Sequence, residues 1–243
     1  MRFCVWCLSL PLAVGLNAGW AIEEVTSYAV GEKSYNRVVI DSDRYKSQNK
    51  DETLIIDLKK DTVYFVRDKE KSYFGGRVDD VIAELRKNAM TEMNEEDDIL
   101  SANADTEDEQ IVEIKKLKDQ FTAGGFTGDK YQVFVNGELK KELFIAPKLT
   151  ANAEIDSKKL NEIMLWLSGT LTPSAKNYVE LSDEYVKLTR RGYPIRTIER
   201  DPGGGLIVTV VVKAEQKSFA PDEFALPSDY AKMSSEDFYK PLE

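Results

Sequence analysis

Between Val25 and Phe74 the chain is cut into short segments rich in β-branched and aromatic residues, each followed within a few positions by charged or turn-forming groups. This spacing restricts the fold more than any other feature. Segments so short and so close leave no room for helical crossovers, so they pair as antiparallel hairpins. The strands read as 37–40, 53–58, 62–67 and 71–74, with turns at Asn49-Lys50-Asp51 and Lys59-Lys60-Asp61. Past Gly75-Gly76 the period changes, because Val78, Val81, Ile82 and Leu85 recur at helical spacing and predict a helix over 78–90.

Strands resume over 111–119, turn at Gly124-Gly125 and continue through 130–135 and 139–146. Asn136-Gly137 between the last two is the strongest turn signal in the chain, since both residues tolerate the positive φ of a type I′ hairpin. Asp156 reads as the N-cap of a helix that aligns Leu160, Ile163, Met164 and Leu167 and closes near Gly169. Thr172-Pro173 opens another helical stretch, interrupted at Ser182, that ends at Arg190-Arg191 with Gly192 as its C′ residue. A final hairpin spans 193–200 and 206–217. In its second strand Leu206, Val208, Val210, Val212 and Ala214 share a dry face, while Thr209, Lys213, Glu215 and Lys217 fall mainly on the wet one; Ile207 and Val211 blur the alternation. The expected fold is a single α+β domain, a curved antiparallel sheet with two or three helices against one side.

Composition narrows the chemistry. The chain of 243 residues has no histidine, and its two cysteines both lie in the first seven positions. That removes histidine-based triads and histidine metal sites. Met1-Arg2, an uncharged apolar run to Ala18 and small residues around Ala18-Gly19-Trp20-Ala21 form a signal peptide pattern over 1–21, with cleavage expected after Ala21 and Ala18 as the second choice. No cysteine follows the apolar run, so lipidation is not expected. Cleavage after Ala21 leaves 222 residues, 22–243, without cysteine; the net charge goes from −10 to −11 because Arg2 is lost. A cysteine-free exported chain of this length relies on its core rather than on disulfides, and the periplasm is its natural compartment. With acidic residues in excess and no basic cluster, neither nucleic acid nor an anionic membrane is an expected partner, and no stable membrane insertion is expected.

The central Lys130-Tyr131-Gln132-Val133-Phe134-Val135-Asn136-Gly137 hairpin, then helices, then Gly192-Tyr193-Pro194-Ile195-Arg196 and a closing Phe224-Ala225-Leu226-Pro227-Ser228-Asp229-Tyr230 carry a resemblance. Over roughly residues 25–235 the chain resembles an uncharacterised bacterial periplasmic family, a domain of unknown function similar in expected fold to the lipoprotein-localisation carriers (LolA and LolB). The resemblance implies a half-open antiparallel barrel whose helices plug the concave side, with an apolar cavity between sheet and helices. The chain departs from the carriers in its acidic insertion and in having no arginine matched to their gating residue, so no functional residue is carried over.

The residues themselves offer little catalysis. Glu92 to Glu109 carries nine acidic residues and no basic one, but no glycine lies between Gly76 and Gly124 to shape a calcium loop, so 92–109 is read as a mobile acidic loop. Carboxylate pairs for glycoside hydrolysis have no marked position among 43 acidic residues. Ser157-Lys158 and Ser174 with Lys176 are explained as helix starts. Gly124-Gly125 and Gly203-Gly204-Gly205 join strands, not the strand and helix of a phosphate loop. No catalytic residue, metal or cofactor is expected. The reading is a non-enzymatic binding or carrier protein in which Tyr64, Val66, Val133, Val135, Leu143, Ile145, Leu160, Met164, Leu167, Val208 and Val210 line a cavity for an acyl chain, lipid or other hydrophobic ligand. Alternatives are an envelope protein-interaction module with a filled core that recruits a basic partner, and a carboxylate-based hydrolase.

Overall fold

The computed structural model describes residues 18–92, 111–167, 178–200 and 204–240. Its first half is a meander of β1 (Gly19–Ser27), β2 (Lys33–Asp41), β3 (Arg44–Gln48), β4 (Thr53–Asp57), β5 (Thr62–Arg67) and β6 (Ser72–Arg77). Helix α1 (Val78–Glu92) leads out of it. The second half runs β7 (Val112–Ala123), β8 (Phe126–Val135), β9 (Glu138–Ala146), α2 (Ser157–Leu167), α3 (Asp183–Thr189), β10 (Tyr193–Arg200) and β11 (Leu206–Lys217). A C-terminal strap adds β12 (Ala231–Lys232) and α4 (Ser235–Tyr239). All strands join one open, curved, 12-stranded sheet in the order β12-β6-β5-β4-β3-β2-β1-β11-β10-β9-β8-β7. The ladders are antiparallel except for the short parallel pairing of β12 with β6. The two meanders meet where β1 pairs with β11.

Local chemistry explains the turns. Ser42 and Asp43 (φ 52° and 66°) and Asn136 and Gly137 (φ 51° and 82°) are two-residue turns with positive φ at both positions, as expected of type I′ hairpins. In the β3–β4 and β4–β5 turns the Oδ1 of Asn49 and of Asp57 accepts two backbone N–H groups each, so the side chain organises the reversal. Gly124 (φ 58°) closes the β7–β8 hairpin, and a Cβ there would lie 2.8 Å from Cγ1 of Val211. Only glycine meets both demands.

The predicted helix after Gly75-Gly76 is α1. Asp79 and Asp80 in its first turn favour its positive end, and Val78 and Val81 are buried as the spacing requires. The second predicted helix is α2, with Leu160 and Ile163 buried. The third is corrected at its start. Ser182 is extended (ψ 144°) and is the N-cap of α3, its Oγ accepting the N–H of Tyr185 at 3.2 Å, so a helix begins where the sequence pattern suggests an interruption. The opening at Thr172-Pro173 and the closure near Gly169 lie outside the described residues, as do 1–17 and all of the acidic loop except Glu92. Strands β1, β3 and β12 and helix α4 have no counterpart in the sequence reading, and the described residues hold four α-helices rather than two or three.

Two apolar clusters hold the domain. The larger gathers Trp20, Ile22, Val38, Ile40, Ile56, Val63, Phe74, Val81, Leu160, Ile163, Ile195, Val211 and Phe238. The smaller joins Tyr131, Val133, Val135, Leu143 and Ile145 of β8 and β9 to Tyr185 and Leu188 of α3 and to Val179. Burying a large side chain in such a cluster stabilises by about 1.5–3 kcal/mol. After β11 the chain turns back over β2 and β3, where Glu223 accepts from Arg37 (3.0 Å) and Lys46 (3.2 Å) and the Arg44 guanidinium lies 4.4 Å from the Phe224 ring. It then rounds β6 and inserts the fully buried Phe238 beside Phe74.

The β11 alternation is also corrected. Val211 is 1% exposed, whereas Leu206 and Val212 are 46% and 51% exposed. The cause is a bulge opposite Glu23 and Glu24: Glu23 pairs with Lys213 but Glu24 pairs with Val211, so Val212 is the extra residue and the faces shift there. Likewise Tyr64 and Val66 fall on the sheet face opposite Val63 and Phe65, which pack in the larger cluster with Ile56, Leu54 and Phe74.

Candidate functional site

Beside the seam between the two meanders lies a cleft of about 680 Å³, formed by β1, the start of β2, the β3–β4 turn and Val212 of the bulge. Most of its lining residues are polar or charged. Ser34, Asn36, Gln48 and Asn49 offer hydrogen-bonding groups, and Tyr35 (68% exposed) and Val212 supply apolar surface at the mouth. The rim charges are committed elsewhere: Glu23 to Lys213 (3.8 Å), Asp51 to Lys69 (2.9 Å), Glu52 to Arg67 (3.0 Å) and Arg37 to Glu223 (3.0 Å).

Glu24 differs from these acids. It sits opposite Asn36 on β2 and Val211 on β11, on the same strand face as Ile22, and its Oε1 accepts the Tyr193 hydroxyl at 2.8 Å. Burial lifts its carboxyl above the usual carboxylate range, and the Tyr193 hydrogen bond offsets only part of that. Burial followed by the Glu24 charge pushes Tyr45 up to about 12, and the same causes in the same order hold Tyr193 well above its ordinary range. Three strands supply the group: Glu24 from β1, Tyr45 from β3 and Tyr193 from the start of β10. Because burial holds both tyrosines above their ordinary range, Tyr193 donates to the carboxyl, whose own pKa is raised by burial. The set can accept hydrogen bonds, offer a negative charge and release or take one proton. Among the described residues no three His, Cys, Asp or Glu side chains are grouped to hold a metal ion.

The residues expected to line an apolar cavity do not meet around one space. Val133, Val135, Leu143 and Ile145 form the smaller cluster with α3; Leu160 belongs to the larger one, with Leu167 half-buried against it. Met164 is 36% exposed, Val208 and Val210 are half-buried outside both clusters, and Tyr64 and Val66 face the other way. Trp166 on α2 is stacked by the Arg86 guanidinium at 3.8 Å. Sequence reasoning passes over Glu24, Tyr45 and Tyr193. The available signal is an acid embedded in the strand pattern Ile22-Glu23-Glu24-Val25, where one of two adjacent glutamates must turn inward.

No known family matches the chain, and no curated protein does. Among solved structures it is similar to PNGF-II (TM-score 0.40, 11% identity over 91% of this chain and 32% of that one). It is also similar to MucB in complex with MucA(peri) (TM-score 0.42, 7% identity, 88% of this chain and 56% of MucB). A third is a LolA superfamily protein from Nitrosomonas europaea (TM-score 0.31, 7% identity, 87% of this chain and 91% of that one). The carrier type named by the resemblance is thus among the chain's structural neighbours. The chain spans about a third of PNGF-II and just over half of MucB. Likeness at this level says nothing about what the chain binds.

Proposed function

We propose that the protein is a non-enzymatic binding module of the bacterial periplasm that docks a protein partner at the cleft beside β1 and β2. The observation that carries this reading is the cleft itself, about 680 Å³, lined by polar and charged residues together with the exposed aromatic Tyr35. A site for one part of a ligand needs shape, a few convergent polar groups and an apolar edge, and these are present together. The periplasmic assignment rests on the N-terminal pattern of an apolar run and small residues. An acyl or other hydrophobic ligand is less well supported, because its lining residues are shared among two packed clusters and the far sheet face.

The test places a photo-crosslinking amino acid at Tyr35 and, as a control, at Leu206. The expected result is one product of defined mass from Tyr35 alone, abolished by Gln48→Trp in the folded protein, whose identified partner binds the purified protein. The reading fails if neither position yields a product while native mass spectrometry of detergent-free protein carries a stoichiometric acyl-bearing adduct. That outcome would restore the hydrophobic carrier.

A further inference from the structure

We infer that the protein self-associates through the free edge of β7, two copies pairing antiparallel about a two-fold axis at Ile114. This surface is separate from the cleft, since β11, β10, β9 and β8 lie between β1 and β7 in the sheet. The two edges of the sheet are finished differently. At one, β12 lies against β6, where the Ala231 N–H donates to the Lys71 carbonyl (2.9 Å) and the Met233 N–H to the Tyr73 carbonyl (2.8 Å). At the other, β7 bonds to β8 on one side, and among the described residues no backbone group of 112–123 bonds on the other. An open row of N–H and C=O groups is a template for a further strand. The ladder sets the usable length: 117–119 bulge against Lys130 alone, and the strand beyond them ends at Gly124, against Val211 of β11. What remains is the straight stretch 112–116, an ordinary strand length.

The pattern of that stretch complements itself. Val112 and Ile114 lie opposite Val135 and Val133 and pack against the smaller cluster, while Glu113 and Lys115 share the other face, exposed and 3.2 Å apart. A two-fold axis normal to the sheet keeps each face on its own side, so only residues of like parity oppose each other. With the axis at Ile114, Glu113 of each copy faces Lys115 of the other, and Ile114 faces itself. Ile111, 66% exposed, faces Leu117, and Val112 meets the aliphatic stem of Lys116, whose ammonium stays on Asp129 at 2.6 Å. Every opposed pair is thus of unlike charge or makes an apolar contact. An axis at Glu113, Lys115 or Lys116 would instead set a charge against its own copy, which selects the Ile114 register. The bulge at 117–119 stops the pairing and β12 covers the opposite edge, so the contact closes as a dimer rather than growing into a fibre.

The experiment follows the whole exported protein by sedimentation equilibrium over a concentration series. The expected result is a reversible monomer–dimer equilibrium. Lys115→Glu or Glu113→Lys alone should weaken it roughly tenfold or more, because the axis counts each change twice, whereas the two changes together should recover it. All three variants should melt as the parent does, since both side chains are exposed. A second measurement uses the absence of cysteine after Cys7: Ile114→Cys should give a disulfide-linked dimer on mild oxidation, and Thr122→Cys, past the bulge, should not. The inference is overturned if the protein is monomeric at every concentration, or if the folded double variant dimerises as weakly as the single ones. It is equally overturned if Thr122→Cys links as readily as Ile114→Cys.

Discussion

The two meanders are built from the same antiparallel pairing but differ in regularity. From β1 through β6 every ladder keeps its register, whereas β1–β11, β9–β10, β8–β9 and β7–β8 each carry a shift. The first meander has strands of five to nine residues joined by short turns; the second has strands up to 12 residues long and two helices inserted between β9 and β10. Bulges bend a strand and re-aim its side chains. The cleft lies where the regular half meets the irregular one, at the β1–β11 bulge. Strict alternation is therefore a good guide to burial on one side of the seam and a poor one on the other.

The sharpest test of that difference compares two positions, on β9 and β11, that the sequence pattern treats as equivalent. Leu143 is fully buried in the smaller cluster and Val210 is half-buried outside both, so Leu143→Arg should abolish folding and Val210→Arg should leave a cooperative thermal transition. Equal outcomes, by circular dichroism melting, would break the distinction.

Next comes the start of β1. Trp20 is 6% exposed and meets Phe126 at 6.0 Å between ring centroids, so Trp20→Ala should cost about 3–5 kcal/mol in urea unfolding. If the N-terminal segment is cleaved, the same burial favours a cut after Ala18 over one after Ala21. Removing Gly19 to Ala21 would strip three residues paired with both β2 and β11 or with β11 alone. Intact mass of the mature protein should place its N-terminus at Gly19; Ile22 would show that the strand end is dispensable.

Gly124→Ala should cost about 1–3 kcal/mol, since it combines positive φ with the approach of Val211, while the open Gly125 can be compared directly. An equal cost at both would assign the effect to φ alone.

Glu24→Gln reverses the usual sign. The folded protein raises this carboxyl's pKa above the ordinary 4.5, so the folded state holds its proton more tightly than the unfolded chain does. The cost of the buried charge is absent at pH below 4.5 and grows as pH rises through the folded value. The variant should melt higher than its parent at neutral pH, and the gain should vanish on acidification. Smallest is Glu223→Gln. Burial alone would raise the Glu223 carboxyl, but Arg37 and Lys46 outweigh it and hold it low, so its contribution is present at neutral pH and lost as pH falls. Partly exposed pairs of this kind contribute about 1 kcal/mol or less.

Much of the architecture was legible from short-range chemistry. Asn136-Gly137 sets its hairpin because few other residues tolerate two positive φ values, and Val78 with Val81 marks a buried helical stripe because the α-helical period is intrinsic to the backbone. The charge balance and the absence of histidine likewise bound the chemistry without any structure. What the tertiary structure alone decided is the partner of each strand and the consequences of it. A bulge belongs to a pair of strands, so the exposure of Val212 and the burial of Val211 exist only once β11 lies against β1. Glu24, Tyr45 and Tyr193 are far apart in the chain and share no local pattern. They meet because the sheet joins its first strand to its last long one, and burial, a property of the assembled sheet, raises the carboxyl.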